Sequence, residues 1–306
     1  MEKRRIGSLE VSAVGVGCNQ FGPRLDAAAT AQVVHAALDA GINFFDTAEL
    51  YGGGKSEELL GRALAGRRGD AIIASKFGHK SYGGNASPAY LRTAVEASLA
   101  RLRVDCIDLY QLHTPDPDVP IAETLGVLDE IVKEGKAREI GCSNFSVAQL
   151  REARAATPPG DAAFVSVQNH YSLFHREPER AVLFECERTC TAFLPYFPLA
   201  YGMLTGKYRK GQPIPSGTRI ADHDRYREIV TEENLETVER LIAFAESRGH
   251  TLLDLAFSWL LAHTPVASVI AGATSAAQVQ ANARAGSWTM SNEDLTAIDR
   301  LMPASA

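Results

Sequence analysis

The sequence predicts a (β/α)8 barrel, and three observations predict it. Short, near-continuously apolar runs recur eight times along the 306 residues, as parallel strands covered on both faces do. Helix-like stretches separate them in alternation, the pattern of successive βα units. No G-x-G-x-x-G fingerprint opens any of those helices. The run Gly15–Val16–Gly17 has the wrong spacing and no immediate helix start, which removes a doubly wound dinucleotide-binding sheet.

The strand-like runs begin near Val14 (VGVGC), Ile42 (INFFD), Ala71 (AIIASK), Cys106 (CIDLYQL), Ala137 (AREIGCS), Ala163 (AFVSVQ), Ala192 (AFLPYF) and Ala267 (ASVIAG). Ahead of them, RRIGSLEVS reads as a hairpin turning at Gly7–Ser8 and suited to plugging the barrel floor. The first helix is expected over Ala27 to Ala40, stopping at Gly41. Ser56 to Leu64 follows, then Pro88 to Leu102 with Ser87 as N-cap and Pro88 at the first helical position. Ile121 to Lys133 ends at Gly135, Val147 to Ala156 ends before two prolines, and Pro178 to Thr189 comes next. After a long insertion, helices are expected at Asn234 to Arg248, Leu252 to Ala262, Ala276 to Ala285 and Asn292 to Met302. The chain reads as one barrel domain, with no linker or low-complexity tract. Its long connections, residues 77–87, 113–119 and 198–231, all follow strands and so belong to the C-terminal rim, where barrel active sites lie.

Composition narrows the class. With 45% hydrophobic and 22% charged residues the chain has an ordinary globular balance. A net charge of −6 and no basic stripe argue against a nucleic-acid partner. No apolar run is long enough to span a membrane, and MEKRRIGSLE lacks a signal-peptide core. Five cysteines without scaffold spacing suit a reduced, cytoplasmic protein. Cys186 and Cys190 lie four apart with no second pair to close a zinc site, so no metal is expected and both read as buried thiols.

Chemistry concentrates at three successive strand ends. Asp46 closes the second strand, Tyr51 follows five residues on, Lys76 closes the third strand and His113 the fourth. Taken singly, an Asp or Lys at a strand end is usually half of a structural ion pair, and a rim Tyr or buried His is usually packing. Taken together on one rim, they form a proton-donor set. A tyrosine of ordinary pKa, about 10, is a poor acid at neutral pH. A nearby ammonium is expected to lower that value, a buried carboxylate to hold the ammonium in place, and an imidazole to orient a carbonyl oxygen. Lys76 is the sharpest clue, because a lysine ending an apolar strand needs a charged partner.

At this point the chain resembles the aldo/keto reductase superfamily over almost its entire length. The resemblance rests on DTAELYGGGKSEELLGRAL, ASKFG, DLYQLHTPDP, GKAREIGCSNFS, VQNHYSL, YFPLAYGMLTGKY and VIAGATSAAQVQANA. It implies an oxidoreductase that reduces an aldehyde or ketone with a nicotinamide cofactor, with Tyr51 as general acid, Lys76 and Asp46 in support, and His113 positioning the carbonyl. Relatives that reduce carbon–carbon double bonds carry a carboxylate at the His113 position. It further implies that Ser143, Asn144 and Gln168 hydrogen-bond the nicotinamide carboxamide while Tyr196 stacks on its ring. Leu199 and Gly202 would follow the pyrophosphate, Lys207 would lie near the phosphates, and Gly272, Thr274, Gln278 and Asn282 would hold the adenosine end. Thr274–Ser275 also opens a helix, whose free N–H groups suit a phosphate, and Ser275 with Gln278 forms a capping-box pattern. For Ser143–Asn144, a helix N-cap is the competing reading.

Two departures bear on the cofactor. Ala281 stands where relatives usually carry Glu before the adenine-contacting Asn, and residues 271–283 hold neither Lys nor Arg. Charge for a 2′-phosphate would then come from Lys207 or Arg219; NADP is preferred, with NAD as the alternative. Phe21, Phe77, Tyr82, Tyr201 and Tyr226 are the expected pocket aromatics around a small-molecule carbonyl substrate. The potassium-channel β-subunits share this barrel, so the other reading is a cofactor-binding regulatory subunit with little turnover. Natural substrate, reaction direction and oligomeric state are not legible.

Overall fold

A computed structural model describes residues 1–302. The chain runs β1 (Lys3–Ile6), β2 (Leu9–Ser12), β3 (Val14–Gly17), α1 (Ala27–Asp39), β4 (Phe44–Asp46), α2 (Lys55–Ala63) and β5 (Ile72–Phe77). It continues through α3 (Pro88–Leu102), β6 (Ile107–Leu112), α4 (Ile121–Lys133), β7 (Ala137–Ser143), α5 (Val147–Ala156), β8 (Phe164–His170) and α6 (Val182–Thr189). Last come β9 (Ala192–Tyr196), α7 (Arg219–Asp222), α8 (Glu232–Ser247), α9 (Leu252–Leu261), β10 (Val269–Gly272), α10 (Ala276–Ala285) and α11 (Asn292–Leu301).

Strands β3 to β10 form one parallel sheet in the order β10-β3-β4-β5-β6-β7-β8-β9. Its two ends meet where Phe193 of β9 donates to the Pro265 carbonyl at 2.7 Å and accepts from Ala267 N at 3.0 Å. The sheet is thereby a (β/α)8 barrel, as the sequence predicts. β1 and β2 pair antiparallel, with Ile6 opposite Leu9 across the Gly7–Ser8 turn. Ile6, Leu9 and Val11 of this hairpin pack against Phe44, Ala74, Leu109, Leu194 and Ile270, so the hairpin closes the barrel interior from below.

That interior cluster fixes what happens at the other end. Side chains two residues apart on a strand share a face. Phe44, Ala74, Leu109 and Leu194 line the interior, so Asp46, Lys76, Gln111 and Tyr196 point inward one layer higher, at the C-terminal rim. Phe77 alternates outward, where it is fully buried in the helical layer and stacks on Tyr110 at 4.8 Å.

Local chemistry sets the helix starts. Ser87 Oγ accepts from Tyr90 N ahead of Pro88, and Ser146 with Gln149, Thr251 with Asp254 and Ser291 with Asp294 form reciprocal capping boxes. Two expectations need correction. Pro178 to Thr189 is not one helix: a 3-10 turn at Glu177–Arg180 is separated from α6 by Ala181, whose φ of −156° breaks the ladder. Of the two expected buried thiols, Cys186 is buried but Cys190 is exposed, because it terminates α6 in a left-handed conformation at φ 54°. The insertion 198–231 is also structured, holding α7 and 3-10 turns at Ala200–Thr205 and Asp224–Ile229.

Gly61 shows how closely the outer layer is packed. A Cβ at that position would lie 2.2 Å from the carbonyl oxygen of Leu102, where α2 crosses the end of α3. Backbone cannot yield as a side chain can, so Gly61→Ala is expected to cost about 2 kcal/mol. The check is a thermal midpoint several degrees below wild type; an unchanged midpoint would show that the helices separate freely.

Candidate active site

The loop after β4 lifts Tyr51 over the barrel mouth. Thr47 N donates to Ala74 O at 2.9 Å and Glu49 N to Lys76 O at 3.1 Å, so the chain continues the sheet past its strand before turning. The turn is made by Gly52, Gly53 and Gly54 at φ 60°, 65° and 87°, a run of left-handed residues that only glycine adopts without strain. Tyr51 therefore folds back towards the axis.

Under it lies a fully satisfied buried charge. Lys76 is inaccessible to solvent, and its ammonium donates to Asp46 Oδ2 at 2.6 Å, to the Thr47 carbonyl at 3.0 Å and to Tyr51 Oη at 3.3 Å. An ammonium has three N–H bonds, and all three are engaged. The other carboxylate oxygen, Asp46 Oδ1, accepts from Gln168 Nε2 at 2.9 Å and Gln111 Nε2 at 3.3 Å. Because Tyr51 Oη accepts from Lys76, its own proton is directed elsewhere.

The electrostatics differ from the sequence expectation at one point. Burial pushes the Tyr51 phenol above its ordinary 10; Lys76 opposes that rise, while Asp46 adds to it. The ammonium does not lower the resting value, because desolvation is the larger effect and Asp46 cancels part of its field. Burial works against the Lys76 charge too, but Asp46 and then Tyr51 outweigh it and hold the ammonium above its ordinary 10.5. His113 stands at the rim with its ring edge-on to Tyr51, centroids 6.0 Å apart. Burial, with Lys76 and His79 nearby, pulls it down to about 2, so it is neutral. Its Nδ1 is buried with no hydrogen-bond partner among the described residues.

The remaining expected residues are distributed as follows. Asn144 sits at φ 63° after β7, donates to the His113 carbonyl at 3.0 Å and accepts from Tyr196 Oη at 2.9 Å. It is not a helix N-cap; Ser146 is. Ser143 Oγ donates to the Gln168 carbonyl at 2.7 Å. His170 stacks on Tyr196, with ring centroids 5.4 Å apart. Beyond Leu199, the residues Ala200, Tyr201 and Gly202 all have positive φ (45°, 60° and 109°), and two of them are not glycine. Such local strain collects at functional sites.

Lys207 and Arg219 stand in a cationic group with Arg24 and Arg225. Burial lowers Lys207, and Arg219 and Arg24 lower it further; burial and then the neighbouring cations also hold Arg219 below its ordinary value. Arg24 is paired with Asp222 across the insertion. On the far side Gly272 ends β10, Asn282 is buried on α10, and Gln278 Oε1 accepts from Thr274 N at 2.8 Å and Thr274 Oγ1 at 3.1 Å. The capping box expected at Ser275 is therefore half formed: Ser275 Oγ takes Gln278 N, but the Gln278 side chain turns to Thr274.

Two expected pocket residues fail. Phe21 and Phe77 are both wholly buried in the layer outside the barrel, so neither meets a substrate. Tyr82 is 39% exposed, while Tyr201 and Tyr226 stack at 4.4 Å on the rim. Sequence reasoning missed Gln111, although it lies two residues before His113 on the same strand face. It also missed Glu49, a buried carboxylate that accepts from Gly78 N at 2.8 Å and Tyr90 Oη at 2.9 Å.

Comparison with known proteins adds independent findings. The model of the "Aldo/keto reductase family" matches residues 13–303. Aldo-keto reductase YhdN of Bacillus subtilis is 35% identical, with 96% of this chain and 91% of that protein covered. The aldo-keto reductase yakc [NADP(+)] of Schizosaccharomyces pombe is 35% identical over 85% of this chain and 79% of its own length. Among solved structures, the glycerol dehydrogenase AKR11B4 of Gluconobacter oxydans superposes with a TM-score of 0.85 at 32% identity, covering 98% of this chain and 94% of that one. An aldo/keto reductase of Klebsiella pneumoniae in complex with NADP and acetate superposes with a TM-score of 0.79 at 29% identity, covering 99% and 96%.

The buried pair yields a stability prediction. Lys76→Met removes one partner and strands the Asp46 carboxylate, an expected loss of about 3–5 kcal/mol. Combining it with Asp46→Asn should recover part of that loss. Thermal melting of the two variants checks it: a double variant no more stable than the single one would mean that the stranded charge is not the cause.

Proposed function

The chain belongs to the aldo/keto reductase family, and from that premise we propose that it reduces an aldehyde or ketone to the alcohol with NADPH, Tyr51 giving the proton. The observation that carries the proton-donor role is the Lys76 ammonium donating to Tyr51 Oη. A phenol that accepts from an ammonium keeps its proton for a third party.

The cofactor reading is supported by relatives and by charge. The S. pombe relative is named for NADP(+), and aldo/keto reductase structures from K. pneumoniae were solved with NADP and with NADPH. In this chain burial depresses Lys207, with Arg219 and Arg24 lowering it further, and a bound phosphate would offset both effects. Lys207 and Arg219 would take the phosphates, with the backbone at Leu199 and Gly202 alongside the pyrophosphate. Tyr196, backed by His170 on one face, would offer its other face to the nicotinamide. Ser143, Asn144 and Gln168 would meet the carboxamide, and Gly272, Thr274, Gln278 and Asn282 the adenosine. When bound, NADPH supplies the hydride that the carbonyl carbon receives.

The protein's own part is proton delivery. His113, neutral and fixed at the rim, hydrogen-bonds the carbonyl oxygen and aims it at Tyr51. As negative charge builds on that oxygen, the Tyr51 proton crosses to it. The phenolate left behind is stabilised by the Lys76 ammonium, whose charge Asp46 secures. Substrate therefore enters between His113 and the rim aromatics. One domain serves the whole reaction. The five free cysteines support a reducing, cytoplasmic setting, and no helix among the described residues is long and apolar enough to cross a membrane.

Tyr51→Phe is expected to keep NADPH affinity and lose about 10²–10⁴-fold in kcat with 4-nitrobenzaldehyde. Wild-type kcat/KM should show no break near pH 6.5, since His113 is already neutral there, and should fall only when the phenol itself ionises, above pH 10. Full turnover by the Phe variant would refute the assignment; NADPH binding without any oxidation by wild type would favour a regulatory subunit. Separately, Lys207→Ala and Arg219→Ala should each weaken NADPH about tenfold in a fluorescence titration. NADH should be weakened less; equal weakening of both cofactors would remove them from 2′-phosphate recognition.

A further inference from the structure

A second imidazole stands at the same mouth. His79 lies just past β5, its ring edge-on to His113 with centroids 4.8 Å apart. Nothing in the proton-delivery scheme uses it. Its surroundings nonetheless hold it in place. Gly78 N is anchored on the buried Glu49 carboxylate at 2.8 Å, and Lys80 Nζ pairs with Asp118 at 3.0 Å and Asp116 at 3.4 Å on the next rim loop. Ala86 N reaches Asp116 as well, at 3.1 Å, so both ends of the segment are tied down.

The tautomer of His79 is also fixed. Its Nδ1 accepts the backbone N–H of Ser81 at 3.2 Å and lies 2.7 Å from Ser81 Oγ. A backbone N–H only donates, so Nδ1 carries no proton and the neutral ring bears its hydrogen on Nε2. Burial lowers the pKa of His79 below its ordinary 6.5, which keeps that neutral form at physiological pH. The Nε2–H has no acceptor among the described residues, and the ring is only partly buried.

We infer that His79 is a specificity-determining residue: its Nε2–H recognises an oxygen on the carbon next to the reacting carbonyl, so that α-oxygenated carbonyl compounds are preferred over plain ones. The inference rests on the reduction reading above and deepens it. The two rings stand edge-on with centroids 4.8 Å apart, close enough for a donor on each to meet neighbouring oxygens of one small substrate. The first takes the reacting oxygen and the second takes its neighbour. A plain aldehyde leaves the second donor facing an alkyl group, and a site built to hydrogen-bond an oxygen discriminates against the analogue that lacks it.

The test compares 2-hydroxypropanal with 2-methylpropanal, in which a methyl group replaces the hydroxyl. Wild type should prefer the hydroxy compound. His79→Phe keeps a ring against His113 and removes the donor. It should lower kcat/KM for 2-hydroxypropanal about tenfold, the scale of one hydrogen bond, mainly through KM. For 2-methylpropanal it should change kcat/KM less than about twofold. An equal fall on both substrates, or no fall on either, overturns the role of His79 while leaving the reduction reading intact. No NADPH oxidation by wild type with either aldehyde overturns both. A thermal midpoint of His79→Phe matching wild type shows that the comparison is made between folded proteins.

Discussion

Everything at this barrel mouth depends on one buried ammonium with three acceptors. Lys76 ends an interior-facing row of apolar side chains, where an unpaired charge would be prohibitive. Asp46 neutralises it, and two glutamine amides complete the carboxylate's shell. The consequence reaches beyond stability. Thr47 contributes its carbonyl, so the first residue of the loop is tied to the same nitrogen as the Tyr51 phenol. The strand end, the loop and the tyrosine are held by one atom, and none can shift without breaking a bond to a charge in a dry place.

The resting phenol is not acidified, and this clarifies what the ammonium does. A tyrosine ionised before substrate arrived would have no proton to give. Burial keeps the proton on Tyr51, and in the proposed reaction the Lys76 field would act when the phenolate forms during transfer. The stabilisation would then fall on the transition state more than on the resting enzyme, which is where it raises a rate. The same dryness serves His113. An imidazole held neutral would donate a hydrogen bond to the carbonyl without competing for the proton in transit.

The barrel and the helix bounds were legible because strand alternation and caps are local signals. Pro88 to Leu102, Ile121 to Lys133 and Val147 to Ala156 begin and end where Ser, Pro and Gly punctuation places them. Pro178 to Thr189 misled because the break at Ala181 is conformational and leaves no mark in residue type. Strand ends likewise predicted that Asp46, Lys76 and His113 would converge. Facing direction was harder. Phe77 adjoins Lys76, and period two already implied that the pair point to opposite sides, yet an aromatic at a rim suggests a pocket. The direction of the Tyr51 shift was not legible at all, because it is a balance between burial depth and two opposed charges.

The rim also separates residues held by sheet register from residues held on connections. The ammonium set sits on strands, below the loops, and its geometry is set by sheet register. Lys207, Arg219 and Arg24 sit on connections and repel one another in the free protein. In the proposed cofactor reading, an anion bound among them would offset that repulsion and tie the insertion to the barrel. Its binding free energy would then add to the stability of the insertion, by mass action on the bound state. His79 also sits on a loop, and its neighbour Gly78 is anchored by the buried Glu49 of the loop after β4. That anchoring would let a loop residue meet a substrate in a fixed position.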